Sequence, residues 1–437
     1  MIVTSAVIHG TKGLVDIVCR GGRIEAITPV GAATAADGEE VVDADGRMVI
    51  PGLWDEHVHM GQWASHRRRI DVSEAGSADE ALRHIADVAS SRPKDQVVVA
   101  AGMRPATWPD TPTRQLIDQV SGDTPWVIFA IDIHSCWANS AALTRFGFPL
   151  TDSGLLTEHD SFALLGAVEG VDTATHDQWV AEAERLAASR GVVGIVDLDM
   201  GPTIDNWIRR REGSNDFLLK VEASVYPDTL GVALDRGLRT GDILAPGVSM
   251  GPLKAITDGS LNTQTAYVTA AYQGGDPDAL GTLNYTLDDI DDFVTRANDG
   301  GLSVTLHAIG DKANTLMLDV FERHGIAGRI EHAQLVSAAD IARFAELGVT
   351  ASIQPQHAVD DREVTDRLWA DRADRAFPVK SLLQAGARVV FGSDAPVSTL
   401  DPWVQIAAAV TRTDDDREPW HGEPASGVAE AISCSTR

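Results

Sequence analysis

Two histidines one residue apart, His57 and His59 in DEHVHM, are the first residues whose spacing suggests chemistry. On a strand, side chains at i and i+2 share a face, so both imidazoles could ligate one metal through nitrogen. Taken alone, the pair reads better as two partly exposed histidines at a strand end. Three further apolar runs stop on an ionisable residue: SVTLHAIGD on His307, RIEHAQ on His332 and VVFGSDAPV on Asp394. A buried strand does not normally end on a bare ionisable group without a partner, and five such residues make coincidence a strained explanation. Together they form a nitrogen/oxygen set suited to a divalent metal, zinc by default, with manganese or iron as alternatives. Lys254 in PLKAITDGSLNTQTA is the sixth candidate, because it interrupts an apolar strand. It either snorkels or pairs with an acid such as Asp258, or it is a buried amine neutral enough to react with carbon dioxide. In the second case its carbamate supplies two oxygens to bridge two metals.

These residues need elements that bring them to one place. From residue 175 a unit recurs in which an amphipathic helix ends near a glycine and an apolar strand follows. THDQWVAEAERLAASRG leads into VVGIVDLDM, TLDDIDDFVTRANDGG into LSVTLHAIGD, and LMLDVFERHGIAG into RIEHAQLV. SAADIARFAELG leads into VTASIQPQH, and SLLQAGA into RVVFGSDAPV. In the first helix Thr175 and Gln178 fit a capping box, and Trp179, Ala183 and Leu186 fit one apolar stripe. Alternation of this kind implies a parallel sheet covered by helices. With FLLKVEASVY, GPLKAITDG and GLWDEHVHM the strands number eight, which predicts a (β/α)8 TIM-like barrel over residues 51–437 with the polar strand ends meeting at one face. A doubly wound open sheet is the competing architecture, but it would not bring the first and last strands together. Residues 1–50, including AVIHG, LVDIVCRGGRIEAITPV and EVVDADGRMVIPG, alternate like short strands with Gly and Asp-Gly turns, which predicts a small β-sandwich module. Residues 60–174 read as a large insertion after the first barrel strand, of the kind that builds lids or binding loops. Within it Trp63, Trp108, His134 and Trp137 are candidates to line a substrate pocket, or else to form the insertion's own core.

The composition narrows the partners. The chain has 437 residues, of which 44% are hydrophobic and 23% charged, and 36 basic against 64 acidic residues give a net charge of −28. Such an excess of carboxylates disfavours nucleic acid and anionic membranes. Cys19, Cys136 and Cys434 are odd in number and far apart, which fits neither a disulfide framework nor a cysteine zinc site. The opening MIVTSAVIHGTKGLVDIVCRGG lacks the pattern of a signal peptide, and no apolar run is long enough to span a bilayer. The expectation is a cytoplasmic protein acting on a small molecule, with its oligomeric state open.

The ordered set VIPGLWDEHVHM, LKAITDGSLNTQTA, LHAIGD, RIEHAQL, SIQPQH and FGSDAPV resembles the amidohydrolase superfamily. More narrowly, it resembles the branch that includes N-substituted formamide deformylase. DIHSCWANSAAL and GLLTE in the insertion are similar to elements of that branch, and the likeness covers nearly the whole chain. The resemblance implies that His57, His59, Lys254, His307, His332 and Asp394 are metal-site residues holding one or two ions. It also implies a β module assembled from both chain ends. Members of the branch continue after the barrel with strands that complete this module, whereas this sequence stops at EAISCSTR. It is therefore expected to be a fragment or to carry an incomplete module.

The chemistry expected is hydrolysis of a non-peptide carbon–nitrogen bond in an amide-like substrate. Asp394 would take a proton from an attacking water whose pKa the ion lowers, then pass it to the leaving amine. Deaminases of this fold commonly carry a glutamate in an HxxE pattern after the middle-strand histidine. Here the run is His307-Ala-Ile-Gly-Asp311, which counts against that activity. A lactonase or a phosphotriesterase uses the same ligands and stays open. A non-catalytic binding protein would have no need to keep all six residues.

Overall fold

The computed structural model describes residues 1–8, 12–90, 93, 96–168, 170–213, 217–421 and 426–437. They form two compact units, Met1–Gly52 with Thr436–Arg437, and Leu53–Ser435.

The first unit is a five-stranded sheet. Arg23–Pro29, Val15–Arg20, Ile2–Ile8 and Val41–Asp43 lie in that order, and Met48–Val49 also pairs with Ile2–Ile8. Its small core gathers Ala6, Ile17 and Ala44. The buried Asp16 carboxylate ties the turns together by accepting from the backbone N–H of Ser5 and Gly31 at 3.1 and 2.8 Å. His9 and Gly10, at the end of the expected first strand, lie outside the described residues.

The second unit contains the eight expected parallel strands. They are β1 (Leu53–Val58), β2 (Val192–Asp197), β3 (Lys220–Val225), β4 (Val248–Ile256), β5 (Val304–Ala308), β6 (Arg329–His332), β7 (Thr350–Ile353) and β8 (Val389–Phe391). Each pairs in parallel with its neighbour in sequence. A short strand, Ile243–Ala245, adds antiparallel to β4. The ring closes where the backbone N–H of Asp394 donates to the carbonyl of His57 at 2.7 Å and that of His59 to the carbonyl of Ala395 at 2.9 Å. An open doubly wound sheet would leave these groups far apart, so the architecture is the barrel. Closure needs a close approach at Gly392, where a Cβ would lie 2.5 Å from the backbone nitrogen of His57. A second tie is Asp55, whose Oδ1 accepts from the N–H of His57 at 3.1 Å and of Ser393 at 2.9 Å. Burial pushes its carboxyl up to about 6.

The covering helices form for local reasons. Leu287–Gly300 begins with a Thr286–Asp289 capping box, ends on Gly301 at φ 83°, and buries Ile290, Phe293, Val294 and Ala297 on one face. The helix Thr173–Ser189 departs from expectation. Asp172, not Thr175, is its cap, and the buried face is Val180, Ala183, Glu184 and Ala187. Leu186 is exposed. The stripe is displaced because Glu184 is drawn inside by Arg211, whose Nη1 and Nη2 donate to it at 3.0 and 2.5 Å.

The insertion is a folded layer, not a set of loops. Its sheet runs Leu155–Thr157, Ser135–Ala138, Trp126–Ala130, Val98–Met103 and Ile70–Asp71. Two apolar clusters of its own cover this sheet. Among the described residues, no helix is long and apolar enough to cross a membrane.

Candidate metal centre

The five residues of the strand-end pattern and Lys254 all line one small cavity. His57 lies on β1, and His59 follows that strand directly and caps the helix Met60–His66. Lys254 lies on β4, His307 on β5 and His332 at the end of β6. Asp394 stands just beyond β8. His332 and Asp394 both have positive φ, 72° and 55°. Side chains other than glycine rarely adopt such a backbone, and it is tolerated where the surroundings over-determine it, typically at a functional site.

The two oxygens of Asp394 face different partners. Oδ1 lies 3.1 Å from His57 Nε2 and 3.3 Å from His59 Nε2. Oδ2 lies 4.0 Å from His332 Nδ1 and 3.8 Å from His357 Nε2. Donors about 2.0–2.1 Å from a tetrahedral ion stand roughly 3.4 Å apart, so the first group already has the spacing of a ligand set. Several buried polar atoms here have no hydrogen-bond partner among the described residues: His59 Nδ1, Lys254 Nζ, His307 Nε2, His332 Nδ1 and His357 Nε2. Buried polar atoms are normally satisfied, and all of these but His357 belong to residues that line the cavity. The donor set of imidazoles and one carboxylate therefore fits a divalent transition ion.

Supporting residues orient the donors. Glu331 Oε2 lies 2.7 Å from His57 Nδ1, and Glu331 is itself held by Arg329 and by the Thr305 hydroxyl. Behind His307 sits Asp258, with Oδ1 2.9 Å from His307 Nδ1. The contact is off hydrogen-bond geometry, and the Asp258 oxygens also accept from the N–H of Ile309, Gly310 and Tyr267. This carboxylate shapes the loop after β4 as well as the histidine.

The electrostatics follow from burial and crowding. Burial alone would push Asp394 up, but His57, His59 and His332 hold it well below the usual carboxylate range. Burial and then the Arg329 and His57 charges act in the same opposed way on Glu331, which is also held low. Burial lowers His332 and His307, keeping both imidazoles neutral and able to ligate. Lys254 is 1% exposed, and burial lowers its amine to about 8.

Of the insertion candidates, only His134 reaches this cavity. Its Nδ1 lies 2.8 Å from Glu158 Oε2, and Glu158 Oε1 accepts from the hydroxyls of Thr263 and Thr265 in the loop after β4. Burial would lower the His134 pKa, but Glu158 raises it to about 9. Trp63 lines a larger neighbouring cleft that shares Val397 with the cavity. Trp108 and Trp137 do not reach the site. Their indole N–H groups donate to the carbonyls of Ala75 and Thr113 at 2.8 and 3.2 Å, and both rings pack in the insertion's core. Each is a large apolar body with one polar atom satisfied inside. Sequence reasoning missed Glu331, Glu158 and His357, and it offered Asp258 as a partner for Lys254, whereas Asp258 lies against His307. Glu331 left a signal, an acid next to His332 in a strand buried on both faces. His357 left a weaker one, because it lies past the strand end, in the short helix Pro355–Asp360.

The chain is 28% identical over 412 residues to Protein LONG AFTER FAR-RED 3 of Arabidopsis thaliana, covering 86% of this chain and 70% of that one. It is 26% identical over 472 residues to N-substituted formamide deformylase of Arthrobacter pascens, covering 96% and 84%. Among solved structures, an uncharacterized metal-dependent hydrolase from Pyrococcus horikoshii OT3 matches with a TM-score of 0.77 at 25% identity, covering 100% of this chain and 89% of that one. The model of the amidohydrolase family matches residues 40–427, and the chain belongs to that family.

Proposed function

We propose that this amidohydrolase cleaves a non-peptide carbon–nitrogen bond in a small amide, with N-substituted formamides as the class to try first. The observation that carries the reading is Asp394, whose Oδ1 sits 3.1 and 3.3 Å from two imidazole nitrogens in a cavity also lined by Lys254, His307 and His332. The name of the Arthrobacter pascens relative supports the formamide class.

His57, His59, His307, His332, Lys254 and Asp394 would hold one or two ions, with zinc the default for these donors. When bound, such an ion supplies a Lewis acid that lowers the pKa of water and polarises a carbonyl. Asp394 takes the proton from the attacking water and returns it to the departing nitrogen, which otherwise leaves as an unstable amide anion. Lys254 enters as a carbamate formed with carbon dioxide, a change that replaces a cation by two oxygen donors beside the ions. His134 reaches the cavity from the insertion, and the Trp63 cleft offers room for the part of the substrate remote from the reacting bond. The three free cysteines suit a reducing cytoplasm.

The test is a panel of N-formyl, N-acyl and cyclic amides set beside lactones and phosphotriesters, using protein of measured metal content. The best kcat/KM should fall among the amides. A lactone or phosphotriester turned over far faster than every amide would reassign the reaction. Substoichiometric metal with no gain on adding zinc, manganese or iron would count against an enzyme.

A further inference from the structure

His134 lines the same cavity as the strand-end residues, yet no step described above uses it. Its position is fixed on three sides. Nδ1 lies 2.8 Å from Glu158 Oε2, the backbone N–H donates to Asp132 Oδ1 at 3.2 Å, and the ring of Phe162 meets the imidazole edge-on with centroids 5.3 Å apart. Both acids are in turn held by the loop after β4. Glu158 Oε1 accepts from the hydroxyls of Thr263 and Thr265 at 3.0 and 2.6 Å, and Asp132 Oδ2 accepts from that of Ser260 at 3.1 Å. The backbone is strained on either side of the pair, with Ile133 at φ 57° and Glu158 at φ 50°. A β-branched residue in that region is an outlier, and such strain persists where the surroundings over-determine it, typically at a functional site. Glu158 stands behind the cavity lining, so the ring turns Nδ1 away from the site and its opposite edge towards it. Among the described residues Nε2 has no hydrogen-bond partner.

We propose that His134 is a catalytic residue, whose Nε2–H donates to the carbonyl oxygen of the substrate and stabilises the negative charge that gathers there as water adds, and that Glu158 is its positioning residue. The inference rests on the carbon–nitrogen hydrolysis reading of this cavity and adds to it a donor that the insertion supplies. A carboxylate only accepts, so Glu158 fixes a proton on Nδ1, and its charge balances a second proton on the ring at Nε2. In the addition step the water oxygen forms the new C–O bond, its proton goes to Asp394, and the carbonyl π pair moves onto the oxygen facing His134. In the collapse that pair re-forms C=O, the C–N bond breaks, and the departing nitrogen takes the proton from Asp394. His134 ends each cycle with the protons it began with. A donor fixed in place before the reaction needs no reorganisation as the charge develops.

The experiment separates a donor to the substrate from a latch within the protein. His134→Gln places an amide N–H near the position of Nε2, whereas His134→Asn places one near that of Nδ1, where it meets Glu158 but not the substrate. Wild type, these two variants, His134→Ala and Glu158→Gln are compared on the best amide of the panel, with metal content measured and circular dichroism to establish folding. Calorimetry gives the affinity of each for a methylphosphonamidate of the same amine, a mimic of the tetrahedral adduct. His134→Asn and His134→Ala should lose roughly 10²–10³-fold in kcat and about 10-fold or more in phosphonamidate affinity, the scale of removing one such donor, with KM and metal content little changed. His134→Gln should keep a clear part of both, and Glu158→Gln should lower kcat at unchanged KM and metal content. Equal kcat in the Asn and Gln variants, a loss carried by KM alone, or metal lost in step with activity overturns the proposal while leaving the proposed hydrolase intact. No amide turned over by metal-loaded wild type overturns both.

Discussion

Glu331 lies directly behind His57, its Oε2 2.7 Å from His57 Nδ1, while the opposite nitrogen of the same ring points at Asp394. A carboxylate can only accept, so this contact keeps the proton on Nδ1, and it is Nε2, which faces Asp394, that would give up its proton and turn its lone pair to an ion. Replacing Glu331 by Gln keeps the size and removes the charge. The expected result is a fall in metal affinity of roughly 10–100-fold, the scale of losing such a support. A competition titration against a chromophoric chelator measures it, and unchanged affinity would mean that His57 is oriented by something else.

Asp394→Asn keeps the shape of the side chain and its Oδ1. The fold and much of the metal should survive, while kcat falls by roughly 10²-fold or more, the scale of general acid–base catalysis. Pre-steady-state and steady-state rates on the best amide of the panel give the number. A kcat near that of wild type removes Asp394 from the proton path.

Lys254 has 1% exposure and no partner for Nζ among the described residues. An ammonium in that place would repel a divalent ion. Lys254→Ala should therefore lose metal and activity together, and formate or acetate in the buffer should restore part of both by replacing the carbamate oxygens. Mass spectrometry under native conditions with added bicarbonate should show a gain of one carbon dioxide in wild type and none in the variant. Full metal and activity in Lys254→Ala would show that the lysine is only a wall of the cavity.

His66 gives a pH effect away from the reaction. Burial lowers its pKa from 6.5 to about 4, helped by the nearby Arg69 charge. The folded state holds the ring neutral while the unfolded chain binds a proton below 6.5, so stability drops as pH falls from 6.5 towards 4. At about 1.4 kcal/mol per pH unit the full effect is about 3 kcal/mol. His66→Gln should flatten the fall of Tm between pH 6.5 and 4. An equal fall in both proteins would assign acid sensitivity to other groups.

Much of the barrel was legible because each strand is an apolar run that ends where the chain must turn, and because polar residues at those ends have nowhere to go but towards each other. That argument picked out His57, His59, His307, His332 and Asp394, and Lys254, which interrupts a strand, lines the same cavity. Residues whose place depends on a distant partner were not legible. Glu184 reads as a surface acid on its helix and is inside only because Arg211, on another helix, meets it. Trp108 and Trp137 read more readily as core than as pocket walls, and the cluster they pack in is the insertion's own. His357 falls outside any strand, so a search of strand ends passes over it.

The seam between β1 and the segment after β8 joins the earliest part of the barrel to nearly its last, through His57, Asp394 and the Asp55 carboxylate. During synthesis His57 emerges more than three hundred residues before Asp394. A nascent or truncated chain lacking the eighth strand therefore has histidines but no carboxylate to set them against, and no closed ring to hold them. The facing of carboxylate and imidazoles therefore depends on the whole ring, because no segment that stops short of the eighth strand contains both sides of it.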